Sequence, residues 1–287
     1  MDFLGRKIKP YSIMKPIGKT YFSFLVAATL VFVACDNANE DASPTAPQLP
    51  PAESMSAEMG AFPSNGENSS KNDNQDREHF TYAAANVVFW QSILKLQLAV
   101  PVAAFKESFN HPFIYLQDEQ RWKSSYSVTV GDKTYEATLY GEREEDEIEW
   151  EMYLSAEGQF ENFLWFTGES ELDNTGGSWT LYKSPSEPRA VLTIEWEKEG
   201  NEVEAAYTLV DEQADKVDSY IEYGTTTENG FTHFYEVSIE SKTEEDYEVF
   251  ILYNANTRAG KVKSESRFGD DAFRCWDSNF IDTTCSN

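Results

Sequence analysis

Apolar residues follow two different periods along this chain. Between Thr81 and Phe109 the period is helical. Phe89, Ile93, Leu96 and Val100 recur at spacings of four, three and four, and Val87, Leu94 and Leu98, with Trp90 at their edge, form a second stripe. Gln91, Ser92 and Lys95 occupy a narrow polar sector between the stripes, and Asn86 with Gln97 another. A helix with two apolar flanks predicts deep burial, with the Phe89 stripe facing a sheet. A helix lying on a membrane would carry Lys and Arg on its polar face, and only Lys95 does so here. Thr81 is placed to cap the helix start. Pro101 is placed to end the helix, kink it or open a second short one through Phe109.

From Trp122 to about Phe268 the period changes to two. A tight turn at Gly131-Asp132 pairs Val128 with Tyr135 and Tyr126 with Ala137, so both strands bury one face. Gly200-Asn201 does the same for Trp196 with Ala205, Ile194 with Tyr207 and Leu192 with Leu209. At Asn229-Gly230 a two-residue turn mixes faces. A three-residue loop, Glu228 to Gly230, instead pairs Tyr223 with Tyr235 and Ile221 with Val237. Further strands fit 147–154, 163–168, 178–182, 247–253 and 261–268. The expected fold is mainly β with one helix (α+β). It is a curved antiparallel meander of roughly eight to ten strands, a half-barrel or open barrel packed on the N-terminal helix.

The stretch before the helix behaves differently. Residues 35–78 are rich in Pro, Ser, Asn and acids, with few large apolar side chains, and read as a disordered tether spanning roughly 35 Å. The globular domain is therefore expected at 79–287. Ahead of the tether, Lys15 and Lys19 precede the apolar run Tyr21 to Val33, which ends on Val33-Ala34-Cys35. The run falls short of the ~20 residues that cross a bilayer and has the layout of a signal peptide over residues 1–34. Met14 followed by Lys-Pro-Ile-Gly-Lys offers a second start for that signal. With Cys at the cut site, the segment resembles the lipobox of bacterial lipoproteins, Phe32 standing where Leu is preferred. The resemblance implies a diacylglyceryl group on Cys35, cleavage before it, and a lipid-anchored envelope protein, expected in the outer membrane with its periplasmic or surface face left open.

Charge narrows the partners. The chain carries 50 acids against 23 Lys and Arg, a formal charge of −27, and removal of residues 1–34 takes it to −31. Such a surface repels nucleic acid. With Cys35 lipidated, Cys275 and Cys285 remain, and in an exported protein they are expected to form a disulfide contributing about 3 kcal/mol.

No metal, cofactor or catalytic pattern stands out. His79, His111 and His233 lack ligand spacing, and His233 reads as a half-buried strand residue. The acids at 142–149 and 244–246 read as solvated hairpin tips. Tyr140, Tyr153 and Tyr182 fall opposite to the apolar set of their strands. The first expectation is a non-enzymatic lipoprotein that carries an apolar small molecule or lipid between helix and sheet, against Trp90, Leu94 and Leu98. The alternative is a surface module binding glycan or protein through exposed aromatics, and a hydrolase comes third.

Overall fold

The computed structural model describes residues 44–56, 59, 62–63, 76–200 and 202–285. The signal segment and Cys35 lie outside the described residues.

Period-two segments become a single antiparallel sheet. In chain order the strands are β1 (Ile114–Leu116), β2 (Arg121–Val130), β3 (Lys133–Arg143), β4 (Glu147–Ala156), β5 (Phe160–Glu171), β6 (Gly176–Ser184) and β7 (Glu187–Glu199). They continue through β8 (Glu202–Leu209), β9 (Tyr220–Thr225), β10 (His233–Ile239), β11 (Tyr247–Tyr253), β12 (Gly260–Lys263), β13 (Arg274–Trp276) and β14 (Asp282–Thr283). Among the described residues each pairs with its sequence neighbour, so 14 strands form an open meander. All three expected registers hold: Val128 faces Tyr135, Trp196 faces Ala205, and Tyr223 faces Tyr235. The third connection is wider than a three-residue loop, because pairing stops at Thr225 and His233. The expected strand over 261–268 ends at Lys263, and Glu265–Phe268 forms a helical turn, α2, closed by Gly269 at φ 77°.

One helix, α1 (Glu78–Ser108), crosses the inner face. It touches β2 at one end of the meander and β11 to β14 at the other. A flat sheet of this strand number would be roughly 65 Å wide, and a helix of this length spans only about 46 Å. The sheet therefore curls around the helix.

Three expectations for the helix are corrected. It passes through Pro101 without ending, and Pro101 is buried against the core. It begins before Thr81, because the cap comes from far away: the N–H groups of Glu78 and His79 donate to the carboxylate of Asp282, at 3.0 and 3.1 Å. The stripes are also reversed. Val87, Trp90, Leu94 and Leu98 are the buried set, extended by Ala83, Ala84, Ala104 and Phe105, whereas Leu96 is 84% exposed. Ala83, Ala84 and Ala104 let the backbone approach the sheet on that side, while Ser92 and Lys95 are exposed beside Leu96.

A pattern of Trp over Gly organises the inner face. Trp150 lies over Gly141, Trp179 over Gly168, Trp196 over Gly177 and Trp276 over Gly260, each pair being direct cross-strand neighbours. A methyl group on Gly141 would sit 2.8 Å from the Trp150 ring, and one on Gly177 2.9 Å from Trp196. Only glycine lets these rings lie down on the neighbouring strand, so each large side chain covers two strands.

Candidate functional site

The expected tether does not stay clear of the domain. The compact unit begins at Thr45, not at His79. Met55, Met59 and Phe62 are buried in the core, at 0%, 1% and 5% exposure. We call the described residues between Pro47 and Phe62 the strap. Asn174 in the β5–β6 turn donates to the Leu49 carbonyl at 3.4 Å, and Trp179 of β6 donates to Ser54 Oγ at 3.1 Å. The hydroxyls of Tyr207 on β8 and Tyr223 on β9 both donate to the Ser56 carbonyl, at 2.6 and 3.2 Å. Tyr235 of β10 donates to the Met59 carbonyl at 2.8 Å. Phe62 then packs on Tyr235, Tyr253 and Phe80. The strap thus crosses the strands in order beside α1. Met55, Met59 and Phe62 stand four and three residues apart inside a polar stretch, and that spacing was the sequence signal for it.

Strap, helix and sheet leave a cavity of about 230 Å³ where they meet. Ala52, Glu53 and Ser56 of the strap form one wall, and Lys106 in the last turn of α1 another. Val203 of β8, Tyr223, Gly224 and Thr225 of β9 and His233 of β10 complete it. Burial holds the His233 imidazole below its ordinary pKa, opposed by the charge of Glu202, so it is neutral near pH 7. Its Nδ1 lies 2.8 Å from Thr232 Oγ1, and that hydroxyl has the Tyr253 carbonyl as its own acceptor at 3.3 Å. Assigning the Thr232 proton to that carbonyl puts the imidazole proton on Nδ1 and leaves Nε2 as an acceptor. The cavity therefore combines a cationic donor, an anionic acceptor, a neutral imidazole and hydroxyls. Of its lining, the sequence shows Tyr223 as a strand-register residue and His233 as candidate chemistry.

The residues expected to line an apolar site do not line this cavity. Trp90, Leu94 and Leu98 are 0%, 0% and 2% exposed, packed in the core under the helix. Two buried indole nitrogens, Trp90 Nε1 and Trp196 Nε1, have no hydrogen-bond partner among the described residues. Tyr140 and Tyr153 do face outward, but they pack edge-on at 5.9 Å, and the Arg121 guanidinium covers Tyr140 at 3.7 Å. Tyr182 is half-buried.

The outer face is glutamate-rich. Glu142, Glu149, Glu169, Ser178, Glu195, Ala206, Glu222 and Glu236 follow one another as cross-strand partners from β3 to β10. Burial pushes the Glu222 carboxyl up to about 8, helped by a hydrogen bond and charge from Glu204 and by the charges of Glu236 and Glu197. Burial and neighbouring carboxylates raise Glu149 and Glu169 as well. Among the described residues, no group of three His, Cys, Asp or Glu is arranged to hold a metal ion. The acids at 244–246 lie in the loop between β10 and β11, while Glu147 and Glu149 belong to β4.

Cys275 and Cys285 form the expected disulfide, with Cα atoms 5.2 Å apart. It closes the hairpin that carries Asp282, and His79 Nδ1 reaches the Cys275 carbonyl at 2.9 Å. The bond therefore steadies the cap of α1. No family model, curated protein or solved structure matches this chain.

Proposed function

We propose that the chain is a non-enzymatic envelope lipoprotein, tethered through Cys35 in the outer membrane. Its globular unit would bind a small, hydroxyl-rich molecule such as a glycan end. The observation that carries this reading is the cavity between Glu53, Lys106, Thr225 and His233. It offers donors and acceptors of both charges, suited to a polyol and poorly suited to a hydrocarbon tail. The larger space between helix and sheet is occupied by the strap, whose Met55, Met59 and Phe62 supply the apolar surface that a lipid guest would otherwise provide. Glycan-array binding tests the reading. A Val203→Trp variant, which fills the cavity from a half-buried position near the start of β8, should lose the retained glycans while keeping its unfolding midpoint. Binding unchanged in that variant would sink it.

The carrier of an apolar ligand remains a second reading, favoured by the unpartnered Trp90 and Trp196 nitrogens. An amphiphile whose head group reached one of these indoles would satisfy it. Stoichiometric lipid released on denaturation of the native protein, and absent from a Leu98→Phe variant, would support it over the glycan reading.

A further inference from the structure

We propose that the outward face of α1 lies on the lipid surface, with the helix axis parallel to the bilayer. Leu96 is 84% exposed and Phe89 36%, on a stripe shared with the exposed Ala85 and Ala99. From Phe80 to Phe105 the helix carries no acidic residue, in a chain with 50 acids. Lys95 is the only charge in that interval. An acid-free, largely apolar strip, interrupted by Ser92 and flanked by Lys95, is a surface suited to leave water on a strongly acidic protein, and two features select a bilayer as its occupant.

The first is reach. Thr45, where the compact unit begins, follows Cys35 by ten residues, a connection of at most about 35 Å when fully extended. A domain held that close meets lipid at high effective concentration, so a modest apolar face suffices. The second is charge. At a net −31 after cleavage a second copy of the chain is repelled on approach, and so is an anionic bilayer. A zwitterionic lipid surface carries no such penalty, and it removes the need for a Lys- and Arg-rich polar face. This placement rests on the Cys35 anchor and goes beyond the cavity, which lies at the Lys106 end of the same helix.

The test uses the full lipidated chain in phosphatidylcholine vesicles. An environment-sensitive fluorophore is attached to a single thiol introduced as Leu96→Cys, with Glu199→Cys in the exposed end of β7 as the control. Fatty-acid labelling of the same sample reports the anchor independently. Emission at position 96 should shift to the blue and be lost on adding spin-labelled phosphatidylcholine, while position 199 stays unquenched. Vesicles rich in phosphatidylglycerol should weaken the quenching at 96. A labelled anchor with position 96 reporting water would overturn the docking while leaving the anchor standing. A blue shift that follows protein concentration and ignores the lipid quencher would overturn it in favour of a second copy. A sample without fatty acid would remove the anchor, and the docking with it.

Discussion

Replacing Gly168 by Ala tests whether the Trp-over-Gly pattern holds the inner face together. The added methyl would overlap the ring of Trp179 and approach the Ser178 carbonyl at 2.7 Å. Trp179 has little freedom to yield. It is fully buried, packs on Phe105 at 5.0 Å and Phe166 at 5.4 Å, and donates its indole N–H to Ser54. Overpacking of this kind costs about 1–3 kcal/mol. Tilting the ring also gives up the bond to the strap, about 1 kcal/mol. Against these stands a gain of about 0.4–1 kcal/mol from a stiffer unfolded chain. The net expectation is a loss of about 2 kcal/mol, read as a lower urea midpoint at unchanged slope. In a unit of this size that loss corresponds to roughly 4–8 °C in Tm. Because Trp179 grips the strap, Met55 should become more accessible in the same variant. A Gly168→Ala protein within about 0.5 kcal/mol of the parent, with the strap still held, would refute the reasoning.

Leu94→Ala should cost about 2–5 kcal/mol in urea unfolding and Leu96→Ala less than about 0.5 kcal/mol, and the opposite order would mean the helix presents its other stripe to the sheet. Asp282→Ala removes the acceptor for the Glu78 and His79 amides and should cost about 0.5–2 kcal/mol, with Asp282→Asn closer to the parent; equal stability of all three would dismiss the remote cap. Glu222, raised from 4.5 to about 8, favours the folded state when protonated, so its contribution is full below pH 4.5 and is lost as pH rises through about 8. Allowing for its partial exposure, the loss is about 1–2 kcal/mol, and Glu222→Gln should flatten the fall in urea midpoint across that window.

Much of the sheet was legible because strand period and turn chemistry agree. Gly131-Asp132 fixes which residues face which, and a slip of one would turn Tyr126 and Val128 outward. The short strands β1, β13 and β14 were hidden because two or three residues carry no period. Helix polarity failed because both flanks of α1 are apolar; the Ala residues that decide the matter count as neutral in a pattern of large side chains. The strap was missed for a related reason. Three apolar residues, Met55, Met59 and Phe62, sit in a composition that reads as disorder, and their burial depends on tyrosines about 150 to 180 residues away. His233 was visible as an inward histidine. Its cavity partners Glu53 and Lys106 became partners only when the strap and the end of α1 met over β9. Cys275 and Cys285, by contrast, needed only counting.

The chain fills its own sheet with the strap, leaving a small cavity of mixed polar and apolar lining as the place for a ligand. Methionine oxidation tests it most directly. Met55 and Met59 are buried as deeply as Met152 in β4. Under dilute peroxide, peptide mass spectrometry should find all three oxidised slowly and at similar rates in the native protein, and rapidly once it is unfolded. Met55 and Met59 reacting at the unfolded rate while Met152 stays protected would show the strap free and the inner face open, which contradicts the account.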